Sequence, residues 1–120
     1  MKIAIIGLGF VGLSLASVLA SKGFNVVGID VDEQKCKKIS NGISPFFEPD
    51  LEKTLKKGLK KKLQIESDMS VIKDCDLIFV TVGTPQNKTG AIDLSIIKKA
   101  MNSLGKSIRK TKKQHTILVK

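Results

Sequence analysis

Short apolar runs alternate with longer mixed stretches along the whole chain. Residues 2–6, 25–29 and 77–82 are rich in Ile, Val and Leu, and runs of this length predict buried β-strands. A weaker alternation of apolar and polar residues at positions 63–65 predicts a short strand at a sheet edge. The apolar run at positions 116–119 predicts a last strand, after which one residue remains.

Helical spacing and capping signals fill the segments between these runs. A helix ends where Gly or Asn follows its last apolar turn, and it begins at Asp, Ser or an early Pro. These signals predict a helix from Phe10 to about Ser21 closed by Gly23, and a second one capped by Asp32 that runs to about Ser40 and ends at Asn41-Gly42. They also predict a helix with Pro49 in its first turn, a brief helical turn capped by Ser67 or Asp68, and a long helix from Asp93.

Three of these helices are expected to turn an apolar face toward a core, because their apolar residues recur three or four positions apart. Residues 44–49 and 85–92 are expected to be loops. The predicted buried faces are Val11, Leu15, Val18 and Leu19 in the first helix, Leu51, Leu55 and Leu59 in the third, and Leu94, Ile97, Met101, Leu104 and Ile108 in the last.

Strands that are separated by helices predict a parallel sheet with right-handed crossovers. The expected fold is α/β, a three-layer, doubly wound sheet of Rossmann type in strand order 3-2-1-4-5. Its ligand crevice lies at the switch point between strands one and four. Because no helix follows to cover the last strand, we expect residues 1–120 to be one domain and a fragment, truncated after the fifth strand.

The chain is strongly basic, with a formal net charge of +10. The excess lies in two lysine-rich blocks, at residues 56–62 and 109–113. Lysine clusters can neutralise phosphates, but no aromatic residues are interleaved with them for base stacking. A solvated surface is therefore favoured, general attraction of anionic ligands and nucleic-acid binding remain alternatives, and no nucleic-acid partner is predicted.

Several other classes of protein are disfavoured. No apolar run approaches the roughly 18 residues that span a bilayer, and the first run is too short for a signal peptide. Cys36 and Cys75 lack the spacing of a zinc site or a disulfide scaffold, so we expect reduced structural thiols in a cytoplasmic protein. His115, the only histidine, is expected to be exposed in a basic loop, and no metal site is predicted.

Residues 7–12, GLGFVG, match the G-x-G-x-x-G pattern of dinucleotide-binding turns. The pattern follows a predicted strand and opens a predicted helix, which is the context that it requires. Gly7 permits the tight turn, Gly9 lets a pyrophosphate approach the backbone, and Gly12 allows close packing of the helix on the sheet. Backbone amides near Phe10 and Val11 would face the pyrophosphate at the positive end of the helix dipole. The alternative is a turn without a ligand.

Asp30 lies at the end of the second strand, 18 residues after Gly12. A carboxylate there can accept hydrogen bonds from both hydroxyls of the adenosine ribose, whereas a 2′-phosphate would meet like charge. The position favours NAD over NADP, although the nearby Lys35 can tolerate a phosphate. The alternative role for Asp30 is that of a capping or loop carboxylate.

The fourth strand ends in Val82, Gly83, Thr84 and Pro85, at the edge that faces the ligand crevice of a doubly wound sheet. Thr84 would offer its hydroxyl or backbone to the ribose on the nicotinamide side. An ordinary turn at the end of a strand remains the alternative.

These segments resemble the amino-terminal domain of the UDP-glucose/GDP-mannose dehydrogenase family, the nucleotide-sugar 6-dehydrogenases. The Gly-Thr-Pro segment with its downstream Gly and Asp separates this family from hydroxyacid and 6-phosphogluconate dehydrogenases. The resemblance is carried by residues 5–13, residues 28–32 with Lys35, Phe47-Glu48-Pro49 with Leu51, and residues 80–85 followed by Gly90, Asp93 and Leu94.

The resemblance implies oxidation of the C6 alcohol of a UDP-sugar to a carboxylate by two NAD, through a thioester on a cysteine of a later domain. This chain would then hold no catalytic residue and be inactive alone, and the full-length enzyme would be a homo-oligomer. A hydroxyacid or 6-phosphogluconate-type dehydrogenase domain and a non-catalytic NAD-binding module stay open. The implied NAD contacts are Gly7, Gly9, Phe10, Val11, Gly12, Asp30, Lys35 and Thr84.

Overall fold

A computed structural model describes residues 1–86, 88–109 and 111–120. Asn87, in the predicted 85–92 loop, and Lys110, in the second lysine-rich block, lie outside the described residues. The strands are β1 (Lys2–Ile6), β2 (Asn25–Ile29), β3 (Leu63–Glu66), β4 (Leu77–Val80) and β5 (Thr116–Val119), and the helices are α1 (Phe10–Ser21), α2 (Glu33–Ser40), α3 (Pro49–Lys61) and α4 (Ser95–Ile108), with a short 3₁₀ helix at Met69–Asp74.

The strands form one parallel sheet in the order β3-β2-β1-β4-β5, which confirms the predicted doubly wound fold. Ile6, the last residue of β1, is aligned with Ile29 of β2 on one side and with Val80 of β4 on the other. The carboxyl ends of these three strands therefore meet at one edge of the sheet. A chain that winds in opposite directions from β1 leaves a crevice at this edge.

Alternate residues of β1 serve two separate cores, because successive side chains in a strand point to opposite faces. Ile3 and Ile5 pack with α1 and α3, whereas Ala4 and Ile6 pack with the 3₁₀ helix and α4. The sheet is thus the middle of three layers.

The buried face of α1 coincides only in part with the one that helical spacing predicted. Val11 and Val18 are exposed, and Leu15 and Leu19 are only partly buried. The helix lies so close to its neighbours that the contact face needs small side chains; a Cβ added at Gly58 of α3 would come within 3.1 Å of the Ala20 Cβ. The buried residues of α1 are Gly12, Leu13, Ala16, Ser17 and Ala20.

The structure also differs from the sequence-based prediction at two element boundaries and in part of the buried face of α4. The strand β4 ends at Val80, two residues early, and α4 begins at Ser95, whose amide donates to Asp93 Oδ1 over 2.9 Å. Leu104 is buried, but Leu94 and Met101 are exposed. Leu94 precedes the helix, and the side of α4 that packs on the sheet and the 3₁₀ helix carries Ile97, Ala100, Leu104 and Ile108.

The remaining boundary signals are confirmed. Gly23 and Gly42 take the left-handed backbone conformation after α1 and α2, with φ of 100° and 80°. Asp32 caps α2 by accepting the Lys35 amide, and Pro49 opens α3. Among the described residues, no helix has the length and apolar character needed to cross a membrane.

Two helical glycines provide a matched test of the close packing. An added Cβ at Gly12 would lie 1.9 Å from the Gly7 carbonyl oxygen, whereas one at Gly105 in α4 meets nothing within 4 Å. Gly12→Ala should lower the free energy of unfolding by about 1–3 kcal/mol or more through overpacking. Gly105→Ala should raise it by about 0.5–1 kcal/mol through helix propensity. Urea denaturation measures both, and equal effects of the two substitutions would contradict the assigned packing.

Candidate functional site

The turn after β1 requires glycine at its first position. Gly7 has φ of 93°, in the left-handed region, and its amide donates to the Ile29 carbonyl over 2.8 Å. A Cβ on Gly7 would lie 2.8 Å from Val82 Cγ1. Conformation and crowding therefore both exclude a side chain, and the turn is fixed between the ends of β2 and β4.

Gly9, the residue just before α1, faces open space. A Cβ added there would meet no atom within 4 Å, so a ligand can approach the backbone. The amides of the first helical turn, at residues 10–12, have no acceptor within the helix, and no acidic side chain lies in that turn. The positive end of the helix dipole stands behind these amides, which suits a phosphate group.

Asp30 is joined to the glycine turn by a direct hydrogen bond. Its Oδ2 accepts from the Leu8 amide over 2.9 Å and from Lys35 Nζ over 3.0 Å, and its Oδ1 accepts from the Asp32 amide over 3.0 Å. Burial raises the pKa of Asp30, but these hydrogen bonds and the Lys35 charge outweigh it, and the pKa lies below its ordinary value. The carboxylate is therefore ionised at neutral pH.

One cleft of about 440 Å³ contains the turn and the carboxylate together. Gly7 and Gly9 line it from the turn, and Asp30 and Lys35 line it from the end of β2 and from α2. Its other walls come from the segment after β4, the 3₁₀ helix and α4. This shared groove is the arrangement on which the dinucleotide hypothesis depends. The segment after β4 contributes Thr81, Val82 and Gly83 to the cleft, the 3₁₀ helix contributes Met69, and α4 contributes Ile96, Lys99, Ala100 and Ser103.

Four of the predicted contact residues do not line the cleft. Phe10 and Val11 are exposed in the first turn of α1, and Gly12 is buried beneath them. Thr84 is exposed in the loop after β4, beyond Gly83, which does line the cleft. The roles predicted for these residues toward NAD stay predictions.

Thr81 is a site residue that the sequence analysis did not single out. Its hydroxyl lies 2.8 Å from the Gly7 carbonyl oxygen and 3.0 Å from that of Ile6, and its amide donates to the Ile6 carbonyl over 2.8 Å. The available signal was a polar residue at the end of the most apolar run, next to the switch point. That position places it against the glycine turn.

Neither cysteine lines the cleft. Cys36 and Cys75 are buried free thiols, and burial raises the pKa of each. Cys36 Sγ lies 3.4 Å from the Asp30 carbonyl oxygen, behind the carboxylate. Thiols of this kind stay protonated and are inert.

The prediction of an exposed His115 is wrong. The ring is partly buried, with Nδ1 2.6 Å from the Cys75 carbonyl oxygen and Nε2 3.0 Å from Thr111 Oγ1. Its role is to join the segment before β5 to the start of β4. Within residues 1–86, 88–109 and 111–120, no group of three or more His, Cys, Asp or Glu could hold a metal ion.

The chain is similar to known proteins over its entire length. Residues 1–120 match the family model for the NAD binding domain of the UDP-glucose/GDP-mannose dehydrogenase family. The chain is 38% identical over 122 residues to GDP-mannose 6-dehydrogenase of Pseudomonas aeruginosa, a match that covers 100% of this chain and 28% of that protein. It is 32% identical over 120 residues to UDP-glucose 6-dehydrogenase AglM of Haloferax volcanii, with the same two shares.

A solved structure shows the same likeness in three dimensions. The crystal structure of a ternary complex of GDP-mannose dehydrogenase from Pseudomonas aeruginosa superposes with a TM-score of 0.95 at 38% identity. The match covers 99% of this chain and 28% of that one. This chain therefore spans little more than a quarter of the length of these relatives.

The hydrogen bonds to Asp30 make stability depend on pH in a defined direction. Because the pKa of Asp30 is lower in the folded chain, its stabilisation is complete above the unfolded pKa of about 3.9. It is lost as the pH falls through the folded pKa. At pH 7, Asp30→Asn should lower the free energy of unfolding by about 1.5 kcal/mol, because hydrogen bonds to a charged group are replaced. Urea denaturation at a series of pH values from 7 to 3 should show that the difference in free energy of unfolding between the unmodified chain and Asp30→Asn decreases. A difference that is independent of pH would exclude the charge of Asp30 as its cause.

Proposed function

Because this chain belongs to the UDP-glucose/GDP-mannose dehydrogenase family and is its NAD-binding domain, we propose that it serves an NAD-dependent nucleotide-sugar 6-dehydrogenase. The observation that carries the proposal is the single cleft in which Gly9 and Asp30 face the same space. In that enzyme, a central helix and a C-terminal substrate domain would lie outside residues 1–120. The family membership disfavours the hydroxyacid and 6-phosphogluconate alternatives.

The residues of the cleft fit the cofactor. Its volume of about 440 Å³ lies in the range of small-molecule and cofactor sites. An ionised carboxylate offers about four lone-pair positions, and three of those on Asp30 are used by Leu8, Asp32 and Lys35. One position remains for a ribose hydroxyl, and a second becomes available when Lys35 turns away.

The same pair explains a preference for NAD over NADP. Lys35 Nζ lies 3.0 Å from Asp30 Oδ2, so its charge is already compensated. A 2′-phosphate at this position would lie next to the negatively charged Asp30 carboxylate, while the Lys35 ammonium is already paired with that carboxylate. The like charges and the lost ribose hydrogen bond both disfavour NADP.

NAD supplies a hydride acceptor to the reaction. Oxidation of a primary alcohol to a carboxylate removes four electrons, and each NAD accepts two, so two NAD are needed for each sugar. The groups that act on the sugar would belong to the rest of the enzyme, and this chain alone would be inactive. The names of the relatives support a UDP- or GDP-sugar as the substrate, and we propose a UDP-sugar.

A cytoplasmic enzyme without nucleic-acid or membrane partners is part of the proposal. Lys56 pairs with Glu52 at 3.4 Å, Lys113 pairs with Asp76 at 3.0 Å, and Lys61 donates to the Ser21 carbonyl. These contacts engage three lysines of the two blocks within the domain, and neither block contains an aromatic residue for base stacking. We further propose that the full-length enzyme is a homo-oligomer.

The ribose role of Asp30 predicts a loss of affinity. Asp30→Ala should weaken NAD binding about tenfold to a hundredfold, since a hydrogen bond to a charged group contributes roughly 1.5–3 kcal/mol. The same substitution should also reduce the ratio of the affinity for NAD to the affinity for NADP, because Lys35 becomes free to pair with the 2′-phosphate. Isothermal titration calorimetry with each nucleotide measures both effects. Asp50→Ala on α3, which lies outside the cleft, is the control, and equal NAD affinities for the two variants would refute the role of Asp30.

The proposed reaction is tested by its stoichiometry. The enzyme that contains this domain should release two NADH for each UDP-glucose, or for each GDP-mannose, that it consumes. One NADH for each sugar would indicate a single oxidation of the hydroxyacid type. No NADH from any nucleotide sugar, with NAD still bound, would favour the non-catalytic module.

A further inference from the structure

We infer that Thr81 is a positioning residue of the cofactor site, whose hydroxyl fixes the orientation of the Gly7–Leu8 peptide in the glycine turn. The inference deepens the proposed function and rests on it, since it assigns a role within the same site. Thr81 follows β4 directly, so the pairing of β4 with β1 sets its position.

The Gly7–Leu8 peptide is held at both ends by side chains from the two neighbouring strand ends. The Thr81 hydroxyl donates to the Gly7 carbonyl oxygen over 2.8 Å, and the Leu8 amide donates to Asp30 Oδ2 over 2.9 Å. The carbonyl and the amide of a trans peptide point in opposite directions. The two side chains therefore hold one rigid unit from opposite sides.

The hydroxyl matters more to Gly7 than to Ile6, its other neighbour. The Ile6 carbonyl oxygen already accepts the Thr81 amide over 2.8 Å, as part of the strand pairing. The Gly7 carbonyl oxygen lies against Gly12, where an added Cβ would come within 1.9 Å of it. Without the Thr81 hydroxyl, the Gly7 carbonyl oxygen would lose this hydrogen bond in a tightly packed environment. Leaving a packed acceptor without a donor costs more free energy than losing a hydrogen bond at the surface.

This peptide needs a clamp because its orientation is set by rotation about ψ of Gly7 and φ of Leu8. Glycine restricts such backbone rotation less than any other residue. The flanking groups are fixed, since the Gly7 amide bonds to Ile29 and the Leu8 side chain is fully buried. A rotated peptide would turn its carbonyl oxygen toward the Asp30 carboxylate and take the Leu8 amide away from it. Both the turn and the carboxylate would then be misplaced for a dinucleotide.

The first experiment measures NAD affinity of the chain by calorimetry. Thr81→Val, which keeps the shape but loses the hydroxyl, should weaken NAD binding about tenfold. Thr81→Ser, which keeps the hydroxyl, should stay within about twofold of the unmodified chain. Thr54→Val is the matched control, because that hydroxyl donates to the Asp50 carbonyl over 2.9 Å on the exposed side of α3. It should leave the affinity unchanged.

The second experiment needs no ligand and reports on the peptide itself. Amide hydrogen exchange of the Leu8 N–H, followed by NMR, should become about tenfold faster in Thr81→Val and remain unchanged in Thr81→Ser. The amides of β1, at the centre of the sheet, should keep their protection in both variants. Should Thr81→Val fail to fold, Thr81→Ala loses the same hydroxyl and carries the same expectation.

The two experiments separate failure of this inference from failure of the proposed function. An unmodified chain that binds no NAD would refute the cofactor role, and Leu8 exchange would still test the clamp. If the unmodified chain binds NAD, the inference is overturned by equal affinity in Thr81→Val, by an equal loss in Thr81→Ser, or by unchanged Leu8 exchange.

Discussion

The hydrogen bond from the Leu8 amide to Asp30 Oδ2 joins the two halves of the cofactor site. It ties the glycine turn after β1 to the end of β2, and the parallel pairing of Ile6 with Ile29 makes it possible. Because a parallel sheet aligns its carboxyl ends, the turn, the carboxylate and the first residue after β4 meet without any long connection. The geometry of the site follows from the sheet order and from this one contact.

Asp30 therefore has an observed structural role, and in the proposed function it also contacts the adenosine ribose. Three donors already stabilise its charged form, and they hold its pKa below the ordinary value in spite of burial. The carboxylate is therefore aligned before a ligand arrives, which reduces the ordering that binding requires. In the proposed complex, one ribose hydroxyl can take the free position, and the second must compete with Lys35 for Oδ2. Affinity for the adenosine end thus reflects an exchange of partners and not simply the addition of a contact.

Much of this arrangement is predictable from sequence, and the failures share a physical cause. The alternation of strands and helices predicts the sheet order, and the spacing of Gly7, Gly9, Gly12 and Asp30 predicts the shared cleft. Helical periodicity predicted only part of the α1 contact face, because that face is built from small residues such as Ala16 and Ser17 as well as from Leu13. Thr81 and His115 were missed or misplaced because their partners, Gly7 and Cys75, lie 74 and 40 residues away and become neighbours only through strand register.

The chemistry of the cleft also indicates what must come from outside this chain. Oxidation of an alcohol needs a base that accepts its proton near neutral pH, and a carboxylate whose pKa lies below its ordinary value performs this poorly. The pKa of Asp30 is lowered, and the pKa values of Cys36 and Cys75 are raised by burial, so none of the three suits a base or a nucleophile. Among the described residues, the cleft is thus equipped to hold a dinucleotide by backbone, carboxylate and helix dipole. The reacting groups of the proposed enzyme would have to approach from the open side of the same cleft.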